Sequence, residues 1–221
     1  MLNAIHSTSI WHLFSISYLS LMQVIDPQYW NNLYQQKETR WDIGYPSTPL
    51  KEYIDQISDK HQSILIPGCG NSYEAEYLLQ NGFTNITLID ISSLLTGTLE
   101  KKFSNYLNKE LTIITGDFFG LNNQFDLILE QTFFCALDPS LRKSYVKKMQ
   151  ELLKPDGRLA GVLFNRSFEG GPPFGGSREE YEELFKEKFE IIKLEPCYNS
   201  IQPREGSEVF INVKRKKAAS Y

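Results

Sequence analysis

The chain has only three cysteines, and they stand far apart at Cys69, Cys135 and Cys197. An odd, scattered set with no CxxC pair excludes a disulfide framework and a structural zinc site. It fits a reducing compartment, so a cytoplasmic location is expected. Histidine is just as scarce: His6, His12 and His61 all lie outside the motifs described below. No Ser-His-Asp arrangement and no metal-ligand cluster can be assembled from them. Positive charge is not in excess either. The formal net charge is -4, and the basic run Lys214, Arg215, Lys216 and Lys217 reads as a solvated tail after a last strand. Nucleic acid is therefore not an expected partner. No membrane span is expected, because the apolar stretch Ile10 to Leu21 is too short. That stretch also lacks a preceding Lys or Arg and a clear small-residue cleavage site, so it makes a poor secretory signal.

What the chain does have is enough apolar material for one domain: 41% hydrophobic and 23% charged residues over 221 positions. Met22 opens a more ordinary N-terminus, Met22-Gln23-Val24-Ile25-Asp26-Pro27. Translation is expected to start there, with residues 1–21 an extension of the gene model.

From that point strands and helices alternate. Asp26 caps a helix whose first turn takes Pro27, and Tyr29, Trp30, Leu33 and Tyr34 recur at helical spacing. Residues 40–46 form a Gly/Pro loop, and Pro49 to Ile57 a second helix. Ser63 to Ile66 is a buried strand ended by Pro67-Gly68-Cys69-Gly70. Ser72 can cap the helix that follows, and Gly82 stops it. Ile86 to Asp90 is the next strand, and Ser92 or Ser93 caps a helix reaching about Tyr106. Strands at Leu111–Thr115 and Phe125–Leu129 follow. Then come a helix at Pro139–Leu153, a turn at Lys154–Gly157 and a strand at Arg158–Phe164. After a Gly/Pro loop at 168–176, Ser177 caps a helix to Lys186. Strands at Glu190–Leu194 and Glu208–Val213 close the chain with no helix between them. The pattern predicts an α/β fold: a doubly wound, mostly parallel seven-stranded sheet, with an antiparallel hairpin at one edge.

Ligands of such sheets bind at the carboxyl ends of the strands. Three ends carry signals. Gly68 and Gly70 allow a tight turn and a close backbone approach. Asp90 can accept hydrogen bonds from ribose hydroxyls. Asp117, beside Phe118, can flank an adenine. Each piece alone has a plainer reading: a simple turn for the glycines, a helix cap for an aspartate. Together they favour a nucleoside cofactor. A dinucleotide site wants G-x-G-x-x-G, but the third glycine position holds Tyr73, and Glu74 and Glu76 follow where phosphate charge would need balancing. A phosphate-free donor such as S-adenosyl-L-methionine suits the turn better than NAD.

The stretch from Tyr29 to about Val213 resembles the thiopurine methyltransferase family, in particular its halide, thiocyanate and thiol methyltransferase branch. The carrying residues are Arg40-Trp41-Asp42-Ile43-Gly44, Leu65-Ile66-Pro67-Gly68-Cys69-Gly70, Leu88-Ile89-Asp90, Gly116-Asp117-Phe118-Phe119, Phe133-Phe134-Cys135-Ala136-Leu137 and Gly170-Gly171-Pro172-Pro173-Phe174. The resemblance implies a class I methyltransferase-like fold with an N-terminal helical lid at residues 23–60. The whole domain would run over 23–217 after an extension at 1–22. It implies that Trp30, Tyr34 and Trp41 fold over the donor, Gly68 and Gly70 lie under its amino acid tail, and Asp90 holds the ribose. Asp117 and Phe118 would contact the adenine. Glu130 or Gln131, at the end of the fourth strand, would face the transferring methyl.

Methyl transfer from a sulfonium to a soft anion needs positioning and dryness more than a base. No catalytic acid, base or metal ligand is therefore assigned. Phe133, Phe134, Cys135 and Phe174 are candidates for the acceptor pocket, although such residues at a strand end also serve as plain core. Arg166 or Arg204 could neutralise an anionic acceptor. The expected partner is a small anion or thiol, with a monomer favoured. A larger organic thiol or thiopurine is the alternative acceptor. A nicotinamide-dependent reductase and a non-catalytic cofactor-binding module are the readings from other classes. The intact mass of protein from its native source checks the expected start: a mass beginning at Met22 is expected, and one including Met1 would refute it.

Overall fold

The computed structural model describes residues 25–217. The proposed start at Met22 and the apolar stretch before it lie outside those residues. Helix α1 (Pro27–Gln36) starts as its sequence dictates: the Asp26 carboxylate accepts from Tyr29 N at 2.8 Å, and Pro27 takes the first turn. Helix α2 (Thr48–Asp55) buries Leu50 and Ile54. The alternating unit follows as β1 (Ile64–Pro67), α3 (Tyr73–Gln80), β2 (Ile86–Asp90), α4 (Ser93–Lys102), β3 (Leu111–Thr115) and β4 (Phe125–Gln131). Then come α5 (Arg142–Leu152), β5 (Leu153–Phe164), α6 (Arg178–Phe185), β6 (Phe189–Pro196) and β7 (Glu208–Arg215).

The seven strands lie in the order β3-β2-β1-β4-β5-β7-β6. Neighbours from β3 through β5 are parallel. The final hairpin forms the edge: β6 is outermost, and β7 runs antiparallel between it and β5. Side chains alternate across the sheet and feed two cores. Leu65 and Ile128 point to the face covered by α5 and α6. Ile64, Ile66, Leu127 and Leu129 point to the face covered by α2, α3 and α4. The strand order reverses between β1 and β4, so the parallel strands leave a crevice at their carboxyl ends there.

Three local expectations change. Ser72 does not cap α3: it sits at φ 55°, and its hydroxyl donates back to the carbonyls of Cys69 and Gly70. Helix α4 stops at Lys102, before Tyr106, and Ser92 is its cap, accepting from Leu95 N. Residues 154–157 form a bulge inside β5. Phe125 pairs with Leu153, but Leu127 pairs with Arg158, so the chain between them loops out with Asp156 at φ 66°. A turn and a bulge share the same residue chemistry. Only pairing with β4 separates them.

Gly161 of β5 lies opposite Glu130 of β4, and a Cβ there would overlap the Glu130 carbonyl and Cβ. Gly161→Ala is expected to lower stability by about 1–3 kcal/mol, the usual range for overpacking. Denaturant unfolding checks it, and an unchanged midpoint would contradict this packing.

Candidate active site

A cavity of about 780 Å3 opens at the carboxyl ends of β1, β2 and β4. On one side it is roofed by α1 and the loop that follows. Trp41 stands edge-on to both Trp30 and Tyr34, with ring centroids 5.5 and 5.7 Å apart. Local bonds set this roof in place. Asn31 of α1 accepts from Ser92 Oγ at 2.7 Å and from Leu94 N at 3.2 Å, which fixes α1 on the start of α4. Asp42 accepts from Asn71 Nδ2 and from the Tyr73 hydroxyl, and so ties the loop across the glycine turn.

The floor is the turn after β1. Gly68 and Gly70 both have positive φ, 54° and 50°, which favours glycine. Gly68 has a second reason to lack a side chain: a Cβ there would overlap the Phe133 ring. The expected bare approach is thus claimed from one direction by the protein itself. Asp90 lies on the cavity wall and is buried, with one oxygen accepting from Ser92 N at 2.9 Å. Burial pushes its pKa above the ordinary value, while backbone N–H groups of Ser92, Gly70 and Ile91 pull it back. Asp117 and Phe118 also line the cavity. Asp117 serves in addition as the cap of a short 3-10 turn, accepting from Phe119 N at 2.9 Å. One cation reaches the glycine turn: Lys102 donates to the Asn71 carbonyl, but it is paired with Glu76 at 2.7 Å.

The opposite wall comes from the turn after β4 and from later loops. Phe133 and Cys135 line it, with Phe164, Pro172 and Pro173. Burial raises the Cys135 thiol pKa well above its ordinary value, and the Glu130 charge adds to this. Its sulfur therefore makes a poor nucleophile, and it donates to the Thr132 carbonyl. Arg204 lines this wall too. Its side chain is 11% exposed, lies 3.4 Å from the Glu208 carboxylate and donates to the Trp41 carbonyl at 3.0 Å.

Several expected site residues stand elsewhere. Glu130 does not line the cavity. Its side chain has no exposure and is turned into the core behind the wall, where backbone donors and a tyrosine hydroxyl satisfy it. Gln131 accepts from Ser47 Oγ, which ties β4 to the start of α2. Phe134 is core, edge-on to Tyr145 and Tyr181. Phe174 turns onto Gly171, and its backbone N–H donates to the Cys135 carbonyl in the turn after β4. Gly70 underlies Tyr34 and is not part of the lining. Arg166 is exposed and stacks on Phe168, so only Arg204 of the two arginines is on the wall. Sequence reading missed Thr132, a wall residue held at φ 60°. That geometry strains a β-branched residue by about 1–3 kcal/mol, and no sequence signal marks it. Asn31 was missed as well, because an asparagine inside a helix looks like surface.

The family described as Thiopurine S-methyltransferase matches residues 25–219. The chain belongs to that family. A probable thiol methyltransferase 2 of Arabidopsis thaliana is 33% identical over 186 residues, covering 81% of each chain. A thiocyanate methyltransferase 1 of Brassica oleracea is 31% identical over 193 residues, covering 85% of each. Among solved structures, the 1,6-didemethyltoxoflavin-N1-methyltransferase of Burkholderia thailandensis superposes with a TM-score of 0.68. That match has 15% identity and covers 98% of this chain and 94% of that one, a likeness of fold. This thiopurine S-methyltransferase family member is therefore an S-adenosylmethionine-dependent methyltransferase, and the reductase reading falls. The donor fits the residues present: a positive-φ glycine turn that meets the cavity at Gly68, a buried acid closing β2, and indole rings overhead.

Asp90→Ala is expected to weaken binding of S-adenosylhomocysteine by about 1–3 kcal/mol, the cost of leaving partners unpaired. Gly68→Val is expected to weaken it more, because both its φ and the Phe133 ring oppose a side chain. Calorimetry measures both, and unchanged affinity in either variant would contradict the site.

Proposed function

We propose that this enzyme methylates a small soft nucleophile: thiocyanate, a halide, hydrosulfide or a thiol. The observation that carries the reading is the makeup of the wall opposite the glycine turn. Phe133, Phe164, Pro172 and Pro173 are apolar, and Arg204 brings a largely buried guanidinium among them. A soft anion loses little on entering such a site and meets the Arg204 guanidinium, which it would share with the Glu208 carboxylate. Stripped of water, it is also a better nucleophile.

When bound, S-adenosylmethionine supplies an activated methyl and leaves as a neutral thioether. The protein's own residues hold and orient. Trp30 and Trp41 cover the donor side and exclude water, Asp90 holds the ribose hydroxyls, and Phe133 keeps the acceptor in line. Among the described residues no group of His, Cys, Asp or Glu is arranged to bind a metal. The reaction needs none, since in-line displacement on a sulfonium gains mostly from positioning. The sulfur chemistry in the names of the two plant relatives supports the same acceptor class.

A larger organic thiol is the second reading. Its support is the apolar rim rather than the volume, since the cavity of about 780 Å3 has to take the donor as well. Leu137 and Leu141 at the rim would meet an organic acceptor. A cytoplasmic setting accords with the free, buried state of all three cysteines. No helix among the described residues is long and apolar enough to cross a membrane.

A panel of iodide, thiocyanate, hydrosulfide, alkyl thiols and a thiopurine, with methyl-labelled donor, tests the reading. Turnover of the small anions is expected, and turnover of the thiopurine alone would overturn it. Arg204→Gln is expected to raise the KM for thiocyanate by about tenfold or more, as loss of a charge-assisted bond predicts. A KM unchanged from the parent enzyme would remove Arg204 from the acceptor site.

A further inference from the structure

Glu130 is the penultimate residue of β4, and its side chain has no exposure. One carboxylate oxygen accepts from Phe133 N at 2.8 Å and Phe134 N at 2.9 Å. The other accepts from the Tyr145 hydroxyl at 2.6 Å. Tyr145, of α5, is itself fully buried and sits among Phe118, Phe133 and Phe134, with centroids 5.0 to 6.1 Å away. Gly161 of β5 lies directly against the Glu130 backbone and Cβ, leaving no space for a side chain between the two strands there. An isolated buried carboxylate is costly, and this one is retained with charge-assisted bonds to two consecutive backbone N–H groups. Those two groups belong to the turn that carries the acceptor wall.

We propose that Glu130 is a positioning residue for methyl transfer: its carboxylate sets the Thr132–Cys135 turn and thereby fixes Phe133 against Gly68. The distance between acceptor wall and donor turn is then set by one anion behind the wall. The strain at Thr132, φ 60°, is what the two N–H bonds hold in place. Phe133 connects the two sides physically: it fills the space above Gly68, and its ring lies 5.1 Å from that of Phe118 on the donor side. The inference rests on the donor and acceptor sides assigned above.

The groups facing Glu130 are few. Tyr145 comes from α5 and Tyr181 from α6. Cys135 comes from its own turn, and Glu208 lies across a small space lined by Thr132 and Phe164, with Arg204 beside it. Burial raises the Glu130 pKa to about 7, against the pull of the Tyr145 hydroxyl and the two backbone N–H groups. Protonation would replace an anion that both N–H groups favour with a neutral acid. The turn is therefore held best above that pH.

The test compares wild type with Glu130→Gln and Tyr145→Phe. With saturating donor and thiocyanate, which stays ionised across the range, the wild-type kcat is expected to fall below about pH 7. Glu130→Gln should lower kcat by about tenfold or more at pH 8, since small misplacements are costly in such reactions. It should also lose the acid limb and keep S-adenosylhomocysteine affinity within about threefold. Tyr145→Phe leaves the anion in place but removes a bond that lowers its pKa, so its limb should move to higher pH. Hydrogen exchange at the Phe133 and Phe134 amides reads the turn without any turnover, and faster exchange in Glu130→Gln is expected. A kcat within twofold of wild type, or unaltered amide protection, would overturn the proposal. So would an equal loss of donor affinity, which would make Glu130 a general structural residue. Wild type that binds the donor but turns over no small anion would refute the acceptor reading instead, and the exchange measurement would still decide the role of Glu130.

Discussion

Phe133 sits where a side chain at position 68 would be, and this overlap joins the two halves of the cavity. Gly68 follows β1 and Phe133 follows β4, neighbouring strands on either side of the point where the sheet order reverses. A parallel sheet brings such ends together but leaves a gap between them. Here an aromatic ring from one strand end uses the space that the other leaves bare. The glycine floor of the cavity and the wall opposite it are thus in van der Waals contact.

The lid is fastened to that platform by short polar links. Asn31 grips the start of α4, Asp42 grips the glycine turn, and the Trp41 carbonyl receives a bond from Arg204. The last link crosses nearly the whole length of the described chain. It makes Arg204, on the wall opposite the glycine turn, a partner of the roofing loop, so the two sides of the cavity share a residue as well as a surface.

Much of this was legible in the sequence because it is local. Asp26 and Ser177 announce helix starts through their own side chains and cap as read, and of the pair Ser92 and Ser93 it is Ser92 that caps. The bare turn and the acid that closes β2 lie within one strand–helix–strand unit. What stayed hidden depends on partners distant in sequence. Residues 154–157 read as a turn until β4 pairs on either side of them. An acid at a strand end reads the same whether it faces a ligand or the core, and Tyr145, which decides the matter for Glu130, comes from the next helix. Phe174 looked like pocket wall, but its ring is claimed by Gly171. Arg204 was one of two equal arginines until the loop before β7 carried it over the sheet.

The buried carboxylate at the end of β4 has a thermodynamic consequence for the whole fold. In the unfolded chain this acid titrates near its ordinary 4.5, and in the folded protein near 7. The native state therefore holds the proton more tightly, and through linkage this group favours folding in acid. That contribution is complete below about 4.5, fades as pH rises and is gone above about 7. Acid tolerance and the proposed hold of Glu130 on the Thr132–Cys135 turn accordingly pull in opposite directions at a single side chain.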